Sequence, residues 1–285
     1  MKALIFISTL ITFFSCGLVK AENSFNKIAP IPEFEKSLKN IYLNIERYAN
    51  KRDSLTSLDT TNSNSLVDKI YACNDTLTKL NKKLLSVMLA GDYSNIKWLK
   101  KTFDSIYYIK MICSNDSEFS LITWDTFLSD GEVPSYATIY VCRNGYINTG
   151  VFFLPNDITE SNPFGGNYDL YYDTISQLNY KGKVGYFVVG HNQCGGLCQF
   201  KEAKIYQIAN KKAVQLTDVF KVKNSTSSTL SFEYYLTADT QTVDFSLDTQ
   251  NMSVSMPLFN KDSSSLNETK VIGEKIYTID TNQFR

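Results

Sequence analysis

The chain has 285 residues, 29 basic and 29 acidic, for a formal net charge of +0. Its single His excludes a multi-histidine metal centre, and no basic stripe offers a footing for nucleic acid. The length suits one large domain or a small one beside a large one, and 18 Tyr with 18 Phe point to strands with one wet face.

Residues 1–21 read as an export signal: Lys2, an apolar run over 3–19, then Lys20-Ala21. The run is short for a span and is interrupted by Ser8, Thr9, Thr12 and Ser15, so it reads as removed. Cleavage after Ala21 releases a soluble protein. The alternative is a lipid anchor on Cys16, because Phe13-Phe14-Ser15-Cys16 resembles a lipoprotein signal without its usual Leu. Either route leads to the periplasm, the medium or the outer surface. No later stretch is long and apolar enough to span a bilayer.

Residues 32–90 read as a helical hairpin. Phe34, Leu38, Ile41, Ile45 and Tyr48 recur at spacings of four and three, as do Leu66, Ile70, Cys73, Leu77, Leu80, Leu84 and Val87. Pro30 and Pro32 suit the first helix start, Ser65 is a candidate N-cap, and 54–65 is the loop. Residues 94–103 read as a short amphipathic helix.

From about 105 the period changes to alternation. Strands are predicted at 105–113, 118–126, 135–143, 146–154, 169–178, 184–190, 199–208, 229–237, 242–248, 252–258 and 271–279. Asn144-Gly145 reads as a two-residue hairpin turn, since both residues tolerate positive φ. The fold class is therefore α+β: an N-terminal helical hairpin packed on a large antiparallel β-meander, as a sandwich, barrel or incomplete propeller. The expected divisions are 1–21 signal, 22–103 helical hairpin region and 104–285 β-domain.

Ser114-Asn115-Asp116-Ser117-Glu118-Phe119 followed by Thr123-Trp124-Asp125-Thr126 resembles a turn-and-strand signature of exported bacterial β-rich proteins of unassigned function. It also resembles the Asp-box turn of some propellers, departing at Glu118 and Leu121. The resemblance implies a β-meander and no activity.

Reactive residue types crowd together in His191-Asn192-Gln193-Cys194-Gly195-Gly196-Leu197-Cys198, read as a loop between two strands. In an oxidising compartment Cys194 and Cys198 close a small disulfide ring around the glycines. A His191–Cys194–Cys198 metal site lacks a fourth ligand, so no metal or cofactor is assigned. Of Cys73, Cys113 and Cys142, the second and third lie on strands separated by a third strand. Any pair among them would then involve Cys73.

Two loops gather aromatic and acidic residues. One holds Trp124, Asp125, Asp130 and Glu132, the other Glu160, Phe164 and Tyr168. Trp124, Asp125, Phe164 and Tyr168 are the candidate site for a glycan or peptide, rings stacking while polar groups orient. The expected role is non-enzymatic, binding or structural, in the cell envelope. The alternative is a hydrolase of cell-surface glycans using loop carboxylates. A binder should present an exposed aromatic patch without perturbed carboxylates. An enzyme should present two catalytic carboxyls, or His191 facing a nucleophile.

Overall fold

The structure, a computed structural model, describes residues 31–58, 64–93, 95–129, 134–144, 148–153, 170–210, 212–222, 225–235, 243–259 and 271–280. The signal segment, Cys16, Asp130, Glu132, Glu160, Phe164 and Tyr168 lie outside them.

Helices α1 (Ile31–Thr56) and α2 (Asn64–Leu89) pack together as the hairpin that the apolar spacing predicts. On α2 the inward row is Cys73, Leu77, Asn81, Leu84 and Met88. Leu80 and Val87 of the predicted stripe are only half buried. An apolar criterion selects Leu80 over Asn81, yet Asn81 turns inward because its amide serves the sheet beneath. Ser65 lies inside α2 rather than at its cap. Helix α3 (Ile96–Asp104) is started by Asn95, whose Oδ1 accepts from the Trp98 N–H at 3.1 Å. Between α2 and α3 the backbone crosses the Phe34 ring. A Cβ at Gly91 would lie 2.8 Å from two ring carbons, so any other residue there must displace the buried Phe34 ring.

The first sheet is an antiparallel meander of β1 (Ile109–Cys113), β2 (Phe119–Asp125), β3 (Tyr136–Asn144) and β4 (Asn148–Phe153). Asn144 pairs with Asn148, and the turn predicted at Asn144-Gly145 falls largely on residues 145–147, outside the described residues. The second sheet comprises β5 (Tyr171–Tyr180), β6 (Lys183–Gly195), β7 (Cys198–Ala209), β8 (Lys212–Gln215) and β11 (Thr229–Tyr235). Its β5–β6 hairpin turns on Lys181 and Gly182, both at positive φ. One edge of β7 is shared, residues 198–204 pairing with β11 and 206–209 with β8. The third sheet holds β9 (Phe220–Val222), β10 (Ser225–Ser227), β12 (Ser246–Asp248), β13 (Ser253–Phe259) and β14 (Val271–Ile279). Among the described residues every strand pair is antiparallel.

Among the described residues three apolar clusters hold these layers together. Helical Leu38, Ile45, Leu84 and Phe103 meet Met111, Ile122, Trp124 and Ile139 of the first sheet. On that sheet's opposite face Phe119, Leu121, Tyr140 and Cys142 meet Tyr186, Val188 and Tyr206 of the second. Phe187, Ala203 and Ile205 then meet Phe220, Val254 and Ile279 of the third. Strand β2 is buried on both faces, with Phe119 and Leu121 on one and Ile122 and Trp124 on the other. Each such large side chain contributes about 1.5–3 kcal/mol by leaving water.

A polar clip reinforces the joint between the first two sheets. In the β1–β2 turn, Asp116 Oδ1 accepts from Ser114 Oγ and from the Glu118 N–H at 3.0 Å. Its Oδ2 accepts from Gln177 on β5 and from the Tyr186 hydroxyl on β6 at 3.1 Å. Ser117 closes the turn at φ 59°. The aspartate thus serves its own turn and a second sheet.

Candidate functional site

Of the candidate site residues, Trp124 and Asp125 lie among the described residues, adjacent on β2 and pointing to different environments. Trp124 is 1% exposed and faces the helices, where its indole N–H donates to Asn81 Oδ1 at 3.0 Å. Neither face of this ring is offered to a ligand. Asp125, half buried, begins the loop at the end of β2.

That loop is gripped by the helical hairpin. The Tyr42 hydroxyl donates to the Asp125 carbonyl at 3.3 Å, and Asn81 Nδ2 to the Thr126 carbonyl at 2.8 Å. Arg52, itself buried, donates from Nη1 to the carbonyls of Phe127 and Ser129 at 2.5 and 2.9 Å. Thr126 is tied across to the Ser135 carbonyl through its backbone N–H and its hydroxyl. The Phe127 N–H bonds back to Asp125 Oδ1 at 2.8 Å, and Phe127 sits at φ 52°. A non-glycine residue in the left-handed region persists where its surroundings over-determine it, and such residues concentrate at functional sites.

The held loop completes an aromatic patch. Phe127 meets Tyr108 edge to face at 5.1 Å, and Tyr108 meets Tyr107 likewise at 4.6 Å. Tyr42 backs both Tyr108 and Phe127, at 6.1 and 6.5 Å. Tyr107 is 87% exposed, while Tyr108 and Phe127 are half buried against the helical core. Sequence reading passed over Tyr107 and Tyr108 because they fell inside a run taken for strand. The doublet in fact precedes β1 in a turn.

Electrostatics distinguish the carboxylates here. Burial pushes Asp125 up to about 6, and the Phe127 N–H and the Arg52 charge pull it back only in part. Burial, then the charge of Asp125, raises Tyr42 and Tyr136. Beyond Tyr136 lies Tyr171, 5.2 Å between ring centroids, and beside it the His191–Asp173 pair. Burial works to raise Asp173, but hydrogen bonding and charge from His191, then Lys110, outweigh it and hold the carboxylate below its usual range. His191 Nδ1 faces Asp173 Oδ2, and Lys110 reaches Oδ1 at 3.4 Å while lying over the Tyr171 ring. Among the described residues no hydroxyl or thiol hydrogen-bonds His191.

The segment read as a loop around His191 is instead the continuation of β6, with Gly195 paired to Cys198. Cys194 and Cys198 form the disulfide expected of them, Cα atoms 5.0 Å apart, with Gly195 and Gly196 at positive φ. Cys73, Cys113 and Cys142 are free thiols. Strand β2 separates Cys113 from Cys142, which pack on its opposite faces. Burial pushes the Cys142 thiol up to about 12 and raises Cys113, so both act as apolar fillers. Among the described residues no three His, Cys, Asp or Glu side chains form a metal-binding group, and no helix is long and apolar enough to cross a membrane.

No known family matches the chain, and neither the curated proteins nor the solved structures contain a significant match.

Proposed function

We propose that this is an exported, non-enzymatic binding protein of the cell envelope that holds a glycan or peptide on the Tyr107–Tyr108–Phe127 patch. The observation carrying this reading is that patch, exposed at Tyr107 and braced from behind by three helical side chains. Rigid aromatic rings beside a carboxylate supply stacking area at small entropic cost, with a polar group to orient the ligand. Export is supported by the apolar N-terminal run, by the Cys194–Cys198 pair and by the resemblance of the β1–β2 turn to exported bacterial β-rich proteins. In this reading the signal is cut after Ala21, or Cys16 carries a lipid.

A second reading, a hydrolase of cell-surface glycans, is favoured by one observation. Asp125 near 6 and Asp173 held low are carboxylates driven apart, the separation that acid and base roles need.

A thermal-shift screen of glycans, cell-wall fragments and peptides tests both. Binding at about a hundred times the dissociation constant adds roughly 2.7 kcal/mol. The binding reading expects a shift with one ligand class that Tyr107→Ala/Tyr108→Ala loses, and no product. Product formation abolished by Asp125→Asn would replace it with the hydrolase.

A further inference from the structure

Resting on the reading of the patch as a binding surface, we propose that its ligand is a basic peptide segment. A lysyl or arginyl side chain of that segment lies on Tyr108 and Phe127, served by the carboxylates of Glu46 and Asp125.

The argument starts from which charges near the patch are already satisfied. Arg52 is committed to two loop carbonyls and to Asp53 at 2.8 Å. Lys110 is committed to Asp173 and Tyr171. Among the described residues neither Glu46 nor Asp125 forms an ion pair, and the Asp125 carboxylate accepts a single hydrogen bond, from the Phe127 N–H. Both carboxylates act on the phenols of Tyr42 and Tyr108. Glu46 follows Tyr42 by one helical turn, on the same face of α1.

The groups facing Asp125 are therefore phenolic, apart from the committed Arg52: Tyr42 from α1, Tyr108 before β1, Tyr136 from β3. An anionic ligand meets repulsion here. A neutral sugar would stack on the rings but leave both carboxylates without a countercharge. A cation answers the rings and the carboxylates together, since an aromatic face attracts positive charge through its quadrupole. Bringing a cation to Asp125 favours its ionised form, so binding and proton release are coupled.

The experiment is a calorimetric titration of the purified protein with tetralysine, with tetraglutamine and fully N-acetylated chitotetraose as neutral probes. The proposal expects tetralysine to bind in preference to both. It expects about tenfold weaker binding in Glu46→Gln/Asp125→Asn, and a loss of similar size from about pH 7 to about pH 5. Glu33→Gln, an exposed first-turn residue of α1, removes charge away from the patch and should leave affinity unchanged. Thermal midpoints of both variants verify folding. Absence of tetralysine binding, or equal binding by Glu46→Gln/Asp125→Asn, overturns the cationic ligand. Chitotetraose binding that depends on Tyr107 and Tyr108 would also overturn it and leave the patch standing. Binding of any probe that survives Tyr107→Ala/Tyr108→Ala overturns the patch itself.

Discussion

The indole N–H of Trp124 ends 3.0 Å from Oδ1 of Asn81, and the same Asn81 amide donates to the carbonyls of Leu77 and Thr126. One buried side chain on α2 thus satisfies the largest ring of β2 and the loop that follows it. This pairing assigns Trp124 to the core, whereas of the rings around the loop Tyr107 is exposed and Tyr108 and Phe127 are half buried.

Replacing Asn81 by Leu keeps its branched shape and strands a buried N–H and a buried carbonyl. The loss should be about 2–4 kcal/mol, larger than for an exposed Asn on α1. Chemical denaturation of Asn81→Leu and Asn44→Leu makes the comparison, since Asn44 is exposed and bonds only within its own helix. Equal losses would remove Asn81 from its bridging role.

The pH dependence of stability has a definite sign. Folded Asp125, near 6, keeps a proton that the unfolded chain releases near 3.8. Its contribution to stability is complete below the unfolded value and is lost as pH rises through the folded one. Asp173 acts oppositely, its contribution disappearing as pH falls below about 4. Asp125→Asn should therefore flatten the fall between about pH 4 and about pH 6, and be more stable than the parent above about pH 7 by on the order of 1–2 kcal/mol. Urea midpoints across this range provide the measurement. An unchanged slope contradicts the buried carboxylate.

The Cys194–Cys198 ring spans four positions in sequence. Loop-closure entropy for so short a ring corresponds to roughly 2 kcal/mol. Cys194→Ser/Cys198→Ser should lose about this much and keep the sheet, with faster amide exchange confined to the end of the β6–β7 hairpin. Global unfolding at room temperature would mean that the ring supports more than its hairpin.

Asp116→Ala removes bonds to the turn and to the second sheet together. The expected cost is about 2–3 kcal/mol. Gln177→Ala deletes only one inter-sheet bond and should cost about 1 kcal/mol or less. Calorimetric melting distinguishes the two, and matching losses would show that the turn bonds contribute nothing.

The fold was legible where a single physical signal dominated. Strand β14 matches its predicted bounds, and the helical hairpin follows from the three-four spacing around Leu38, Ile45, Leu77 and Leu84. Strands β8, β9 and β10 were missed because runs of three or four residues carry too little alternation. Sequence joined Trp124 and Asp125 into one candidate site, whereas alternation along β2 sends Trp124 to the helices and leaves Asp125 at the strand end. Asn81 and Arg52 were invisible because their partners are backbone carbonyls some 45 and 75 residues away, which no local pattern encodes. Tyr107-Tyr108 carried the composition of a strand and the geometry of a turn.

Hydroxyl-radical footprinting, with and without the ligand that gives the largest thermal shift, tests the central claim most directly. Tyr71, 64% exposed on α2, is an internal control away from the patch. The account predicts that the ligand protects Tyr107, Tyr108 and Phe127 and leaves Tyr71 labelled as before. Unchanged labelling of Tyr107 and Tyr108 under saturating ligand would contradict it.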